Sequence, residues 1–211
     1  MGVPPVTTPA PPGANAAFAP TERTVPLRSR HRIDYGKAAA YQVLDEALFC
    51  DVAFTGPDGA PRVLPTFHAR VGGTVYLHGS TGSSVGLAGK DGFDVCLTAT
   101  VVDGLVYAKS WIHHSMNYRS IVVHGRAALV TDAHERWLAM RALVERMSTG
   151  RSERSREPDA KEEAASAFLA VPLDEVSVKR RSGPPSEEPE DADLPYRNGV
   201  ADVTTLVAGR L

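Results

Sequence analysis

Between Asp51 and Val130 the chain breaks into short stretches with strand character, and turn residues fall at close intervals between them. DVAFT (51–55) runs into GPDGAP, whose Pro57-Asp58-Gly59 is a strong hairpin signal. Arg62–Ala69 reads as the returning strand, VGG (71–73) as the next tight turn and Thr74–His78 as a third strand. After the small-residue loop GSTGSS (79–84), Phe93–Val102, Leu105–Ser110 and Tyr118–Val130 supply three more, with Asp103-Gly104 as a hairpin turn. Short strands at this spacing point to a closed antiparallel barrel rather than an open sheet.

Two helices flank this core. In Gly36–Cys50, Tyr41, Leu44 and Leu48 recur at helical spacing. Asp132–Met147 begins with Asp132 as N-cap and Glu135 at the capping-box position, and its apolar face runs Trp137, Met140, Leu143, Val144 and Met147. A charged linker at 151–163 leads to a short helix near Ala164–Leu169 and a last strand over Val171–Lys179. One barrel domain is therefore expected over 22–182. Residues 1–21 are rich in Pro and Ala and are expected to be disordered; 183–211, acidic and Pro-rich, are expected to be a mobile tail.

Composition removes several classes of function. The net charge of -2 gives no basic field for nucleic acid. No apolar run reaches the ~18 residues of a membrane span, and the N-terminus lacks a secretory pattern, so the cytoplasm is the expected location. Cys50 and Cys96 have no metal-ligand spacing, and His113 and His114 point to opposite sides if extended, so no protein metal site is expected. HExxH, P-loop and GxSxG patterns are missing.

Three segments carry candidate chemistry. YLHGSTGSSVG (76–86) offers backbone N–H groups and hydroxyls to an anion but no cation; alone, an ordinary Gly/Ser turn is the simpler reading. HHSMNYRS (113–120) gathers two imidazoles, the Ser115 hydroxyl, the Asn117 amide, the Tyr118 phenol and the Arg119 guanidinium. Arg119 suits a phosphate, and Asn117 and Ser120 suit a heteroaromatic ring edge. RVLPT (62–66) reads as an edge strand, since Pro65 cannot donate to a central ladder.

Together RTVPLRSRHRIDYG, VLDEAL (43–48), VLPTFHA, TVYLHGS, HHSMNYRSIVVHGRA and KRRSGPP (179–185) resemble the pyridoxamine 5′-phosphate oxidase-like superfamily of FMN-binding split barrels. The closer match is its flavin-nucleotide-binding, nitroimidazole-resistance-like branch. The resemblance implies a mainly β fold with flanking helices: a six-stranded antiparallel split β-barrel. It implies a homodimer with FMN in a cleft at the subunit interface, acting as an oxidoreductase on a small molecule. The isoalloxazine would lie along Arg62, Val63, Leu64, Pro65 and Thr66. The phosphate would meet Tyr76, Leu77, His78, Gly79, Ser80, Ser83 and Ser84, and the strand of Ser115, Asn117, Tyr118, Arg119 and Ser120 would close the site. If a side chain serves as acid or base, it is His78 or His114.

The chain departs from that pattern where Gly82 and Ser83 stand for an Arg-Lys pair, and where Ser84 stands for an Arg. Each missing charge-assisted bond is worth about 1.5–3 kcal/mol, so Arg62 and Arg119 become the cations on which FMN affinity would depend. The tail also departs, having YRNGVADV where relatives carry an aromatic-Gly-hydrophobic-Pro element. Two other readings stand beside the enzyme: a haem, flavin or deazaflavin carrier or sensor, and a dimer whose clefts have lost their cofactor.

Overall fold

The computed structural model describes residues 16–83, 89 and 91–206. In chain order the main elements are β1 (Ile33–Asp34), α1 (Lys37–Glu46), β2 (Cys50–Thr55), β3 (Pro61–Thr66), β4 (His68–Val71), β5 (Thr74–Ser80), β6 (Phe93–Tyr107) and β7 (Ser115–Leu129). They continue with α2 (Ala133–Met147), α3 (Ala160–Ala165), β8 (Ser166–Pro172), β9 (Glu175–Arg181) and β10 (Gly199–Asp202). The strands form one curled antiparallel sheet in the order β3-β2-β6-β7-β8-β5-β4, the split-barrel architecture expected from the sequence. Strand β7 is its seam: Tyr118–His124 pair with β9, and Ala128 and Leu129 pair with β8.

Period-two burial fills the inside of the curl. Val95, Leu97 and Ala99 of β6 face Ile121 and Val123 of β7, Val176 and Val178 of β9, and the Ala40, Val43 and Leu44 stripe of α1. A second cluster lies under α2, where Ala139 and Leu143 meet Ala69, Tyr76, Val130 and Phe168. Met147, expected on the buried face of this helix, is instead 67% exposed.

Four local expectations are corrected. Arg62–Ala69 is two strands, broken at Phe67, so that β3 joins β2 and β4 joins β5. Asp103-Gly104 is no hairpin turn but a register shift inside the continuous β6. A Cβ on Gly104 would come within 2.9 Å of Val200 and 3.1 Å of the Ala201 carbonyl oxygen, so glycine is what lets β10 pair there. The short helix sits earlier than expected, at α3, where Asp159 and Glu162 form a capping box. Ala167–Leu169, read as helical, are strand β8 paired to β5.

Both expected tails contain ordered parts. Within the supposed disordered segment, Phe18 is 6% exposed in the main core, and its N–H donates to the Tyr35 carbonyl at 2.9 Å. Residues 1–15 lie outside the described residues. In the C-terminal segment, Lys109 Nζ donates to the Asp191 and Ala192 carbonyls and Asn198 donates to Glu187, bringing β10 back onto β6.

Candidate functional site

Strand β3 is an edge: it pairs with β2 on one side, which leaves backbone groups on its other side free of sheet partners. Its burial is low along its length, with Val63 61% and Leu64 40% exposed, an uncommon condition for apolar residues in a strand. Next to it lies a cavity of about 220 Å³. Leu64, Pro65 and Thr66 form one wall, Leu77, His78, Gly79 and Ser83 another, and Val52, Ala167 and Leu169 the floor. Two of the three sequence motifs, RVLPT and YLHGSTGSS, thus meet at one mainly apolar cleft. Such a cleft suits a flat heteroaromatic ring.

Around the cleft, His78 packs its ring against Phe168 at 5.3 Å between centroids, and burial lowers its pKa, which favours the neutral imidazole. The Ser83 hydroxyl donates to the Ser80 carbonyl at 2.7 Å, and the Thr81 N–H donates to the Ala165 carbonyl at 3.1 Å, so the loop is tied to the end of α3. Ser84, also proposed for the phosphate, lies outside the described residues. Arg62, at the start of β3, pairs with Asp58 at 3.3 Å on an exposed hairpin.

Several residues assigned to the cofactor have other partners. Tyr76 is buried beneath α2, and its hydroxyl donates to Glu135 at 2.9 Å; burial and that carboxylate push its pKa up to about 12. Asp132 does accept from the Glu135 N–H as expected, but the Glu135 side chain goes to Tyr76. Arg119 is paired with Glu46 at 2.7 Å and with Asp103 through bonds of 2.7 and 3.0 Å, which raise its pKa. Its charge is therefore neutralised within the subunit rather than offered to a phosphate. Asn117 donates to the Gly183 carbonyl at 3.1 Å and accepts from Arg181. Ser120 donates to the Lys179 carbonyl at 3.4 Å. The polar run at 115–120 thus binds β7 to β9 and the segment after it. Ser115 is exposed and Tyr118 half-buried.

His114 stands apart from the residues that line the cleft. Its Nδ1 lies 3.1 Å from the Ser110 carbonyl oxygen, and its ring meets that of Tyr107 edge-on at 6.2 Å. Val52, Ala167 and Leu169 were not foreseen as site residues. Reading 164–169 as helix hid the last two, whereas an alternating-strand reading of AFLAV (167–171) would have put them together on one face of the sheet.

The family model described as pyridoxamine 5′-phosphate oxidase matches residues 36–180. No curated protein matches the chain. Among solved structures, the flavocytochrome Anf3 from Azotobacter vinelandii is 34% identical, with a TM-score of 0.84 over 92% of this chain and 90% of that one. An FAD and haem binding protein from Mycobacterium smegmatis is 31% identical, with a TM-score of 0.79 over 85% of this chain and 88% of the other. A 5-nitroimidazole antibiotic resistance protein from Bacteroides thetaiotaomicron VPI-5482, 19% identical with a TM-score of 0.59, covers 70% of this chain and 85% of its own, and shares the fold.

Proposed function

The chain belongs to the pyridoxamine 5′-phosphate oxidase family, and from that premise we propose that it is a flavin-binding oxidoreductase whose flavin occupies the cleft between β3 and the end of β5. The observation that carries this reading is the mainly apolar cavity walled by Leu64–Thr66 on one side and Leu77–Gly79 on the other. When bound, a flavin supplies hydride and single-electron transfer. The chain supplies the surroundings. Free backbone groups of β3 meet the ring edge, Leu64 and Leu77 exclude water, and the Gly79–Ser83 loop receives the phosphate with N–H groups and hydroxyls. His78, neutral through burial, accepts a hydrogen bond or a proton at the wall.

The FAD and haem binding protein, 31% identical over most of its length, favours FAD over the FMN expected from sequence, and it and the flavocytochrome, 34% identical, favour a haem as a second group. A loop with no Arg or Lys among Gly79–Ser84 agrees with a ligand held by more than its first phosphate. The exposed Val63 and Leu64 support pairing of two copies along β3, with the substrate, a small molecule, entering at their junction.

Aerobic purification, an absorption spectrum and chromatography of the released cofactor test this reading. A yellow or red-brown protein that releases FAD supports it, and FMN or a deazaflavin in its place would redefine the cofactor. A colourless chain that takes up none of these would establish a cleft without a cofactor. Sedimentation distinguishes the dimer from a monomer.

A further inference from the structure

Helix α2 turns one face to the core and another to a second cavity, of about 270 Å³, which shares no lining residue with the flavin cleft. Trp137, Met140, Arg141 and Val144, at i, i+3, i+4 and i+7, line it from the helix. Glu153, Glu157 and Pro158 line it from the segment that follows. The lining is mainly apolar, and the volume lies just under the ~300–1,000 Å³ of pockets for drug-sized ligands, which suits a smaller molecule.

The far wall is held in place by the helix itself. Glu145 accepts from the Gly150 N–H and from the N–H and hydroxyl of Ser152, and the Trp137 indole N–H donates to Glu157 at 3.3 Å. Arg156, also on that wall, is engaged by Glu162 at 2.7 and 2.8 Å. Two charges of the lining remain. Arg141 is half-buried and stacks its guanidinium over the Trp137 ring, 5.3 Å from the centroid, yet it has no hydrogen bond or ion pair among the described residues. The ring occupies one face of the guanidinium and leaves its N–H edge for a carboxylate. Glu153, exposed on the other wall, likewise has no hydrogen bond or ion pair among the described residues.

We propose that this cavity binds the zwitterion of an α-amino acid with an apolar side chain. An unpaired cation and an unpaired anion on facing walls match its two charges, the carboxylate on Arg141 and the ammonium at Glu153. Trp137, Met140, Val144 and Pro158 take the side chain. A second acidic group would meet Glu153 and Glu157, so acidic amino acids are excluded by like charge. The site gives the outer stripe of α2, apolar in sequence but turned away from the core, a ligand to cover.

The test titrates the full chain with L-phenylalanine and L-leucine, in a Trp111→Phe background that leaves Trp137 as its one tryptophan. Indole fluorescence changes saturably with either amino acid and not with L-glutamate. L-Phenylalanine amide, which lacks the carboxylate, and N-acetyl-L-phenylalanine, which lacks the ammonium, each bind roughly tenfold more weakly. Arg141→Gln weakens binding of L-phenylalanine roughly tenfold, with circular dichroism and flavin content unchanged. No saturable change with either apolar amino acid overturns the site, whatever the flavin content of the same samples. N-acetyl-L-phenylalanine binding as tightly as the free amino acid overturns the role of Glu153, and wild-type affinity in Arg141→Gln overturns that of Arg141.

Discussion

His68 and His78 sit on paired neighbouring strands, His68 opposite Leu77, and burial lowers the pKa of both. Their roles nonetheless differ, because their partners differ. His68 is fully buried, and its Nε2 donates to the Leu44 carbonyl at 2.9 Å, at the C-terminal end of α1. Arg146 from α2 reaches the same end and donates to the carbonyls of Leu44 at 3.0 Å, Asp45 and Ala47. Helix α1 has no basic residue in its own last turn, so its terminal carbonyls are capped by a histidine and an arginine from elsewhere in the chain. Among the described residues His78 makes no comparable bond; it meets the Phe168 ring and a cavity. A pKa direction alone therefore does not separate a structural histidine from a site histidine. The hydrogen-bond partners do.

The largest effect is expected at the capped helix end. Arg146→Ala leaves three carbonyls without their cation and is expected to lower stability by about 3 kcal/mol, measured by urea unfolding, with the flavin spectrum of the folded fraction unchanged. A loss below ~1 kcal/mol would mean that water replaces the guanidinium, and that His68 alone holds the junction.

The second prediction uses the direction of the His68 shift. Its folded pKa lies below the usual value of 6.5, so the unfolded chain binds the proton more readily. This contribution to stability is complete above about pH 6.5 and is lost as pH falls through and below that value. Burial sets that sign; of the groups facing the ring, the Leu44 carbonyl and Asp45 favour its protonation and Arg146 opposes it. His68→Gln can still donate to Leu44, and it should flatten the pH dependence of unfolding between about 6.5 and 5. A slope unchanged by the substitution would assign that pH dependence to other groups.

These contrasts mark what the sequence could reveal. Strand periodicity and turn residues located most of the sheet, since alternation and turn chemistry are local properties. Asp103-Gly104 was misread because β10, remote in sequence, occupies the space above Gly104 and turns a hairpin signal into a kink in one strand. Ala167–Leu169 carry no decisive period, and pairing with β5 decided their state. At the site, RVLPT and HGSTGSS were readable as motifs, yet the partners of Arg119 were not. Glu46 and Asp103 lie in other elements, and only the fold brings them to it.

Gly104→Ala gives a smaller, local effect. The added Cβ would collide with Val200 and the Ala201 backbone, so β10 should separate from β6 while the barrel stays folded. Hydrogen exchange at 199–202 should quicken, and flavin binding should not change. Unaltered exchange in that strand would show that β10 accommodates the methyl group.

His78→Gln is expected to change stability least and to be the most direct test of the contrast between the two histidines. Among the described residues its ring donates to no backbone group and caps no helix, so the substitution should stay within about 0.5 kcal/mol of wild type, in contrast to any substitution at His68. The cofactor should register it instead. Glutamine keeps a hydrogen-bonding side chain at the wall but cannot titrate, so flavin affinity should be similar at neutral pH. Any acid-induced change in the flavin spectrum that follows protonation at this wall should disappear. Because burial lowers the His78 pKa, that change belongs below about pH 6.5 in wild type. If His78→Gln destabilised the chain as much as His68→Gln while leaving the flavin spectrum and its pH response untouched, His78 would be a second packing histidine and the cleft would lose its titratable group.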